Sequence, residues 1–166
     1  MKLKELEMRT ILTAIAGMML AGTLYGQEVD VCSDIYAPWG SDVNTVIRAG
    51  AKANLNFNEV TKQDSDGIIQ LSFLNGSVAR VFTFMYGKYV SFSLLNMDSD
   101  AVKRNRYTAK QMNMVLSAQS ELNDEGAWVV TCGTSTVKAT LSTTRDQSSF
   151  RVMSMTALEA LVDSKD

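Results

Sequence analysis

The chain has 166 residues, 46% of them apolar and 20% charged, with a net charge of −2. That is enough for one domain with its own core, and it offers no basic face of the kind nucleic acid binds. Histidine is absent, which removes the commonest general base, the commonest metal ligand and every Ser-His-Asp or Cys-His mechanism.

Residues 1–26 read as a signal peptide. Lys2, Lys4 and Arg9 precede the apolar run Ile11–Leu24, which has the length of a secretory h-region and is too short for a comfortable transmembrane helix. Cleavage is expected near Gly26-Gln27. Glu5 and Glu7 are unusual in such a leader and make Met8 an alternative start. Val29-Asp30-Val31-Cys32 is a poor lipobox because of Asp30. The expectation is a periplasmic or secreted protein without membrane association after cleavage; an uncleaved anchor is the alternative.

Residues 27–40 form an extended N-terminal arm, broken by Pro38 and Gly40. Residues 41–166 then read as a single α+β domain. Ser41 is the predicted cap of a helix over Asp42–Leu55, whose inward face carries Val43, Val46, Ile47 and Gly50. Phe57–Lys62 is a short strand. Asp64-Ser65-Asp66-Gly67 lacks the spaced ligands and closing glutamate of a calcium loop and reads as a turn.

The stretch Gly67–Asn96 predicts three antiparallel strands. In Ile68–Leu74 the residues Ile69, Leu71 and Phe73 alternate with Gln70 and Ser72, the period-two mark of a half-buried strand. Turns are expected at Asn75-Gly76 and Gly87-Lys88. Val78–Tyr86 is apolar on both faces, with Phe82, Phe84 and Tyr86 on one and Val81, Thr83 and Met85 on the other. It reads as a central strand buried on both sides, or as one whose Val81 and Met85 meet a partner. Tyr89–Leu95 turns Val90, Phe92 and Leu94 inward.

Met97–Tyr107 is polar. Its basic cluster Lys103, Arg104 and Arg106 is either a solvated loop or a contact for an acidic partner or anionic lipid. Thr108 is the expected cap of a second helix that runs to Leu122 with Met112, Val115, Leu116 and Gln119 inward. Two strands return, Ala127–Cys132 and Thr136–Ser142, and Phe150–Met153 adds a short further one. Thr156-Ala157-Leu158-Glu159 has the form of a capping box opening a last helix with Leu158, Leu161 and Val162 inward. Met112, Met114, Met153 and Met155 read as adaptable core filler.

Cys32 and Cys132 are the two cysteines. In an exported protein they favour a disulfide; two free thiols and a redox pair are the alternatives, the last without the usual CxxC spacing. No nucleophile elbow or phosphate-cradling glycine loop is present. Asp34, Glu59, Asp98 and Glu121 are scattered. No catalytic residue, metal site or cofactor is expected, and the chain does not read as an enzyme.

The whole predicts a two-layer antiparallel sheet with helices on one face, in the order α-β(3–4)-α-β(2)-α. That order is similar to the type III secretion chaperone-like fold. GIIQLSFLNGSVARVFTFMYGKYVSFSLL, AKQMNMVLSAQSEL and EGAWVVTC, spread over residues 41–163, resemble the YbjN family of bacterial sensory-transduction regulators. The resemblance implies a non-catalytic regulator and brings no site residue with it. The functional expectation is an exported protein-binding or regulatory module of the bacterial envelope, with another protein or a second copy as partner. Its candidate partner surface is Val81, Met85, Lys103, Arg104 and Arg106. The alternative is a binder of a small apolar ligand held between sheet and helices by Phe82, Phe84, Phe92 and Met112.

Overall fold

Alternating apolar residues on consecutive strands bury themselves only if the strands pair in register, because a slip of one residue turns every side chain over. In the computed structural model, which describes residues 31–55, 57–63, 67–115, 121–124 and 126–163, that register is met. The leader and the acidic turn at 64–66 lie outside the described residues. After a small hairpin, β1 (Asp34–Ile35) and β2 (Ala37–Pro38), the order is α1 (Val43–Lys52), β3 (Phe57–Gln63), β4 (Ile68–Asn75), β5 (Val78–Met85), β6 (Lys88–Asn96), α2 (Ala101–Val115), β7 (Glu121–Leu122), β8 (Trp128–Cys132), β9 (Ser135–Thr143), β10 (Ser148–Ser154) and α3 (Met155–Asp163). The fold is α+β. Among the described residues, β3 to β10 form one antiparallel sheet in the order β3-β4-β5-β6-β10-β9-β8-β7.

Ladder partners share a face, so the register defines two surfaces. Phe82 lies opposite Leu71 and Phe92, Phe150 opposite Leu94 and Leu141, and Val152 opposite Phe92 and Ala139. These side chains form the inner face and the core. Phe82 meets Phe73 and Phe92 edge-on, both at centroid distances of 5.3 Å, the geometry that the ring quadrupole favours. The arm, α1 and α2 cover this face through Val31, Ile35, Ala37, Val46, Tyr107 and Met112. Gly50 of α1 lies directly on Phe73: a Cβ there would sit 3.0 Å from the ring. Helix α3 packs at the sheet's end against β9 and β6.

Tyr89 fixes the arm. It is fully buried, and its hydroxyl donates to the Ile35 carbonyl at 3.0 Å. Burial, then the nearby Tyr36 and Asp34, push that hydroxyl well above the ordinary tyrosine range, so it stays a donor. Trp39 stacks on the same ring at 4.7 Å, while Gly40 and Ser41 exchange backbone bonds with Tyr89 at 2.8 and 2.9 Å.

Several expected boundaries move, each for a local reason. Both hairpin turns shift by one residue. Asn75 pairs with Val78 and Met85 with Lys88, leaving Gly76-Ser77 and Tyr86-Gly87 as the loops. Tyr86 takes φ +50° and Gly87 φ +77°, the positive pair that a type I′ turn requires. Asp42, not Ser41, caps α1, its carboxylate accepting from the Thr45 N–H at 2.8 Å; that bond holds its pKa below the ordinary value. Helix α2 begins at Ala101, seven residues before the expected Thr108 cap, because a run of Asx turns leads into it. Asn96 Oδ1 accepts from Asp98 N, Asp98 Oδ1 from Asp100 N, and Asp100 Oδ1 from Val102 N and Lys103 N, each carboxylate or amide mimicking a turn. Thr108 is therefore inside the helix, its hydroxyl bonded back to the Arg104 carbonyl. Residues expected at the helix's end instead pair as β7, so the return has four strands where two and a short third, Phe150–Met153, are expected.

At α3 the cap is Ser154, whose hydroxyl accepts from Ala157 N; Thr156 instead accepts from the Thr136 N–H on β9. Val162, expected inward, is 66% exposed.

Cys32 and Cys132 are bonded, with their Cα atoms 6.0 Å apart, inside the ordinary range for a bridge. The bond ties the arm to β8 across 100 residues of chain. A loop of that length is expected to stabilise by roughly 2–4 kcal/mol, chiefly through the unfolded chain. Reduction, or Cys32→Ser with Cys132→Ser, should lower the unfolding free energy measured in urea by that amount while leaving the far-ultraviolet circular dichroism unchanged.

Candidate interaction surface

The face of the sheet opposite the helices carries Ser72 and Leu74 on β4, Val81, Thr83 and Met85 on β5, Ser91 and Ser93 on β6, and Arg151 on β10, joined by their register. Strand β5 is thus not buried on both sides. Phe82 and Phe84 are sealed in the core, whereas Val81, Thr83 and Met85 are only half-buried. Of its hydroxyl residues, Ser72 and Thr83 are half-buried, while Ser91 and Ser93 on β6 are buried. Arg151 reaches across to Ser93, its Nε donating to Oγ at 3.2 Å. Ser91 Oγ, next along β6, is buried without a hydrogen-bond partner.

The five candidate surface residues do not form one surface. Val81 and Met85 lie on the outer face. Lys103 and Arg106 are exposed on α2, which packs on the inner face, so the two pairs point to opposite sides of the domain. Arg104 is not on a surface at all: it is 2% exposed. Its guanidinium donates to the Asp98 carbonyl at 2.5 Å and to the Arg145 carbonyl at 2.8 Å, with Nε unpartnered. It ties the entry of α2 to the β9–β10 turn. Asn105 reinforces that junction by accepting from the Ser148 hydroxyl. A basic run in sequence gives no hint of this, because helical spacing turns Arg104 inward while its neighbours face out.

The predicted ligand-holding rings, Phe82 and Phe92, are packed against each other and against Tyr36 and Phe73. Open space lies elsewhere. A groove of about 540 Å³ runs between the arm and α3, walled by Trp39, Lys88, Ser135, Thr156, Ala157 and Leu161 beside Cys32. Sequence reasoning missed it because its walls come from the arm, two strand ends and a helix, none apolar enough to stand out.

Among the described residues, no three His, Cys, Asp or Glu side chains gather as metal ligands, and no helix is long and apolar enough to cross a membrane. No protein-family model, curated protein or solved structure matches the chain.

Replacing Arg104 by alanine removes two charge-assisted bonds made by a buried side chain, which should cost about 2–3 kcal/mol in urea unfolding. Lys103→Ala and Arg106→Ala, on the exposed side of the same helix, should each change stability by less than about 0.5 kcal/mol.

Proposed function

We propose that the chain is an exported, non-catalytic protein-binding or regulatory module of the bacterial envelope, and that it binds its partner through the outer face of the sheet around Val81 and Met85. The observation that carries this reading is the one-sided covering of the sheet: among the described residues every helix and the arm lie on the inner face or at the end, and the half-buried Val81, Thr83 and Met85 lie on the other face of a central strand. A broad sheet face with apolar residues among hydroxyls suits a second sheet or a protein surface laid across it. The Cys32–Cys132 bond is in keeping with an oxidising compartment. The order of helices and strands keeps the likeness to YbjN-type regulators as part of this proposal, resting on element order and sequence stretches alone. A small apolar ligand is the second reading, and it moves from the Phe82 cluster to the groove beside Trp39 and Leu161, whose volume suits one.

The test is cross-linking and affinity recovery of the tagged full chain from envelope extract, with its mass measured in solution. Wild type and Lys103→Ala should recover the same partner, or form the same dimer, and Val81→Arg should lose it while keeping its melting temperature. A monomer that recovers nothing, or a partner retained by Val81→Arg, contradicts the reading.

A further inference from the structure

Arg80 breaks the apolar pattern of the inner face. It stands on β5 between Val78 and Phe82, opposite Phe73 on β4 and Leu94 on β6, at the end of the sheet where Asn54, Leu55 and Asn75 line a small cleft beside it. Its guanidinium meets two phenols: Nε donates to Tyr36 Oη at 3.0 Å and Nη2 donates to Tyr107 Oη at 3.5 Å. Among the described residues no carboxylate pairs with it. Its charge is met by two neutral phenols and solvent, which leaves room for an anion to supply the counter-charge.

The hydrogen-bond inventory says what that would be. A phenol that accepts from a guanidinium keeps its own proton for another acceptor. Tyr36 and Tyr107 therefore each retain one O–H donor, and Arg80 retains the N–H groups of Nη1. The cluster is rich in donors and carries a single positive charge, with the planar fork that matches two oxygens of an oxyanion. Tyr36 adds a second observation. It is the single residue between Ile35 and Ala37, which pair in the β1–β2 hairpin, and its φ of +68° is that of the turn, which sets its ring beside Phe82. Its ring leans edge-on against Phe82 at 5.5 Å, yet the residue is 39% exposed. The site is thus held by the core and open to solvent.

We propose that Arg80, Tyr36 and Tyr107 form a binding site for an oxyanion, a carboxylate or a phosphate group, on the side of the sheet opposite the proposed partner surface. The test is titration of the full chain with sodium phosphate and, separately, sodium acetate, against sodium chloride at equal ionic strength, followed by calorimetry and by the melting temperature. At least one of the two anions should bind saturably and raise the melting temperature where chloride does not, and the preferred anion identifies the group the site takes. Tyr36→Phe with Tyr107→Phe keeps both rings in place and should weaken binding about ten-fold or more; Arg80→Gln should abolish it. The proposal is overturned if neither anion binds saturably, or if the double phenylalanine variant, folded as wild type, binds as tightly as wild type.

Discussion

Phe82 is the hinge-pin of the molecule's packing. It is fully buried at the middle of β5 and touches Phe73, Phe92, Tyr36 and Tyr89 through ring contacts of 5.3 to 5.8 Å. These partners come from β4, β6 and the arm, so one side chain joins three separately encoded pieces of chain. Large aromatic side chains dominate core energetics because each removes so much apolar surface from water. Once they are gathered on one side, the sheet needs a cover only there. Among the described residues the arm, α1 and α2 supply it, and the opposite face carries serines, threonines and a few half-buried apolar residues, with Ser91 and Ser93 buried along β6.

This one-sidedness links fold to function. The arm is no tail: Tyr89 bonds its backbone, Trp39 stacks on Tyr89, and the disulfide anchors its start to β8. The inner layer is therefore closed by covalent and packing constraints together. What remains open among the described residues is the outer face around Val81 and Met85, a groove beside α3 and the Arg80 cluster at the sheet's end. The proposed roles, binding a protein and binding an oxyanion, use surfaces that the packing leaves free. Neither asks for bond-making groups to converge.

Much of this is legible in the sequence. Strict alternation in Ile69, Leu71 and Phe73, and in Val137, Ala139 and Leu141, placed those residues on the face the register confirms. The pairing of Cys32 with Cys132 was favoured by an even count and an export signal. Less legible were features set by competition between neighbours. Asn-Gly is a strong turn pair, but the ladder chose Gly76-Ser77 because that loop keeps Leu71 opposite Phe82. Thr108 is an acceptable cap, but Asp100 preceded it with a ready chain of Asx turns. Thr156 and Glu159 have capping-box spacing, yet Ser154 took the cap and Thr156 served a neighbouring strand. Arg104 was hidden for a different reason: its acceptors are backbone carbonyls, one of them 41 residues away, and carbonyls carry no sequence signature. The same holds for Arg80, whose two tyrosines lie 44 and 27 residues distant.

Adjacent residues on β5 test the central claim most directly. Phe82 and Val81 are neighbours in sequence, and the pleat turns them to opposite faces. If the sheet is sealed on one face and open on the other, urea unfolding should show Phe82→Ala losing about 3–5 kcal/mol and Val81→Ala losing about 1 kcal/mol or less. A loss above about 2 kcal/mol at Val81, as a fully buried valine would give, would mean that β5 is buried on both sides, and would contradict the account.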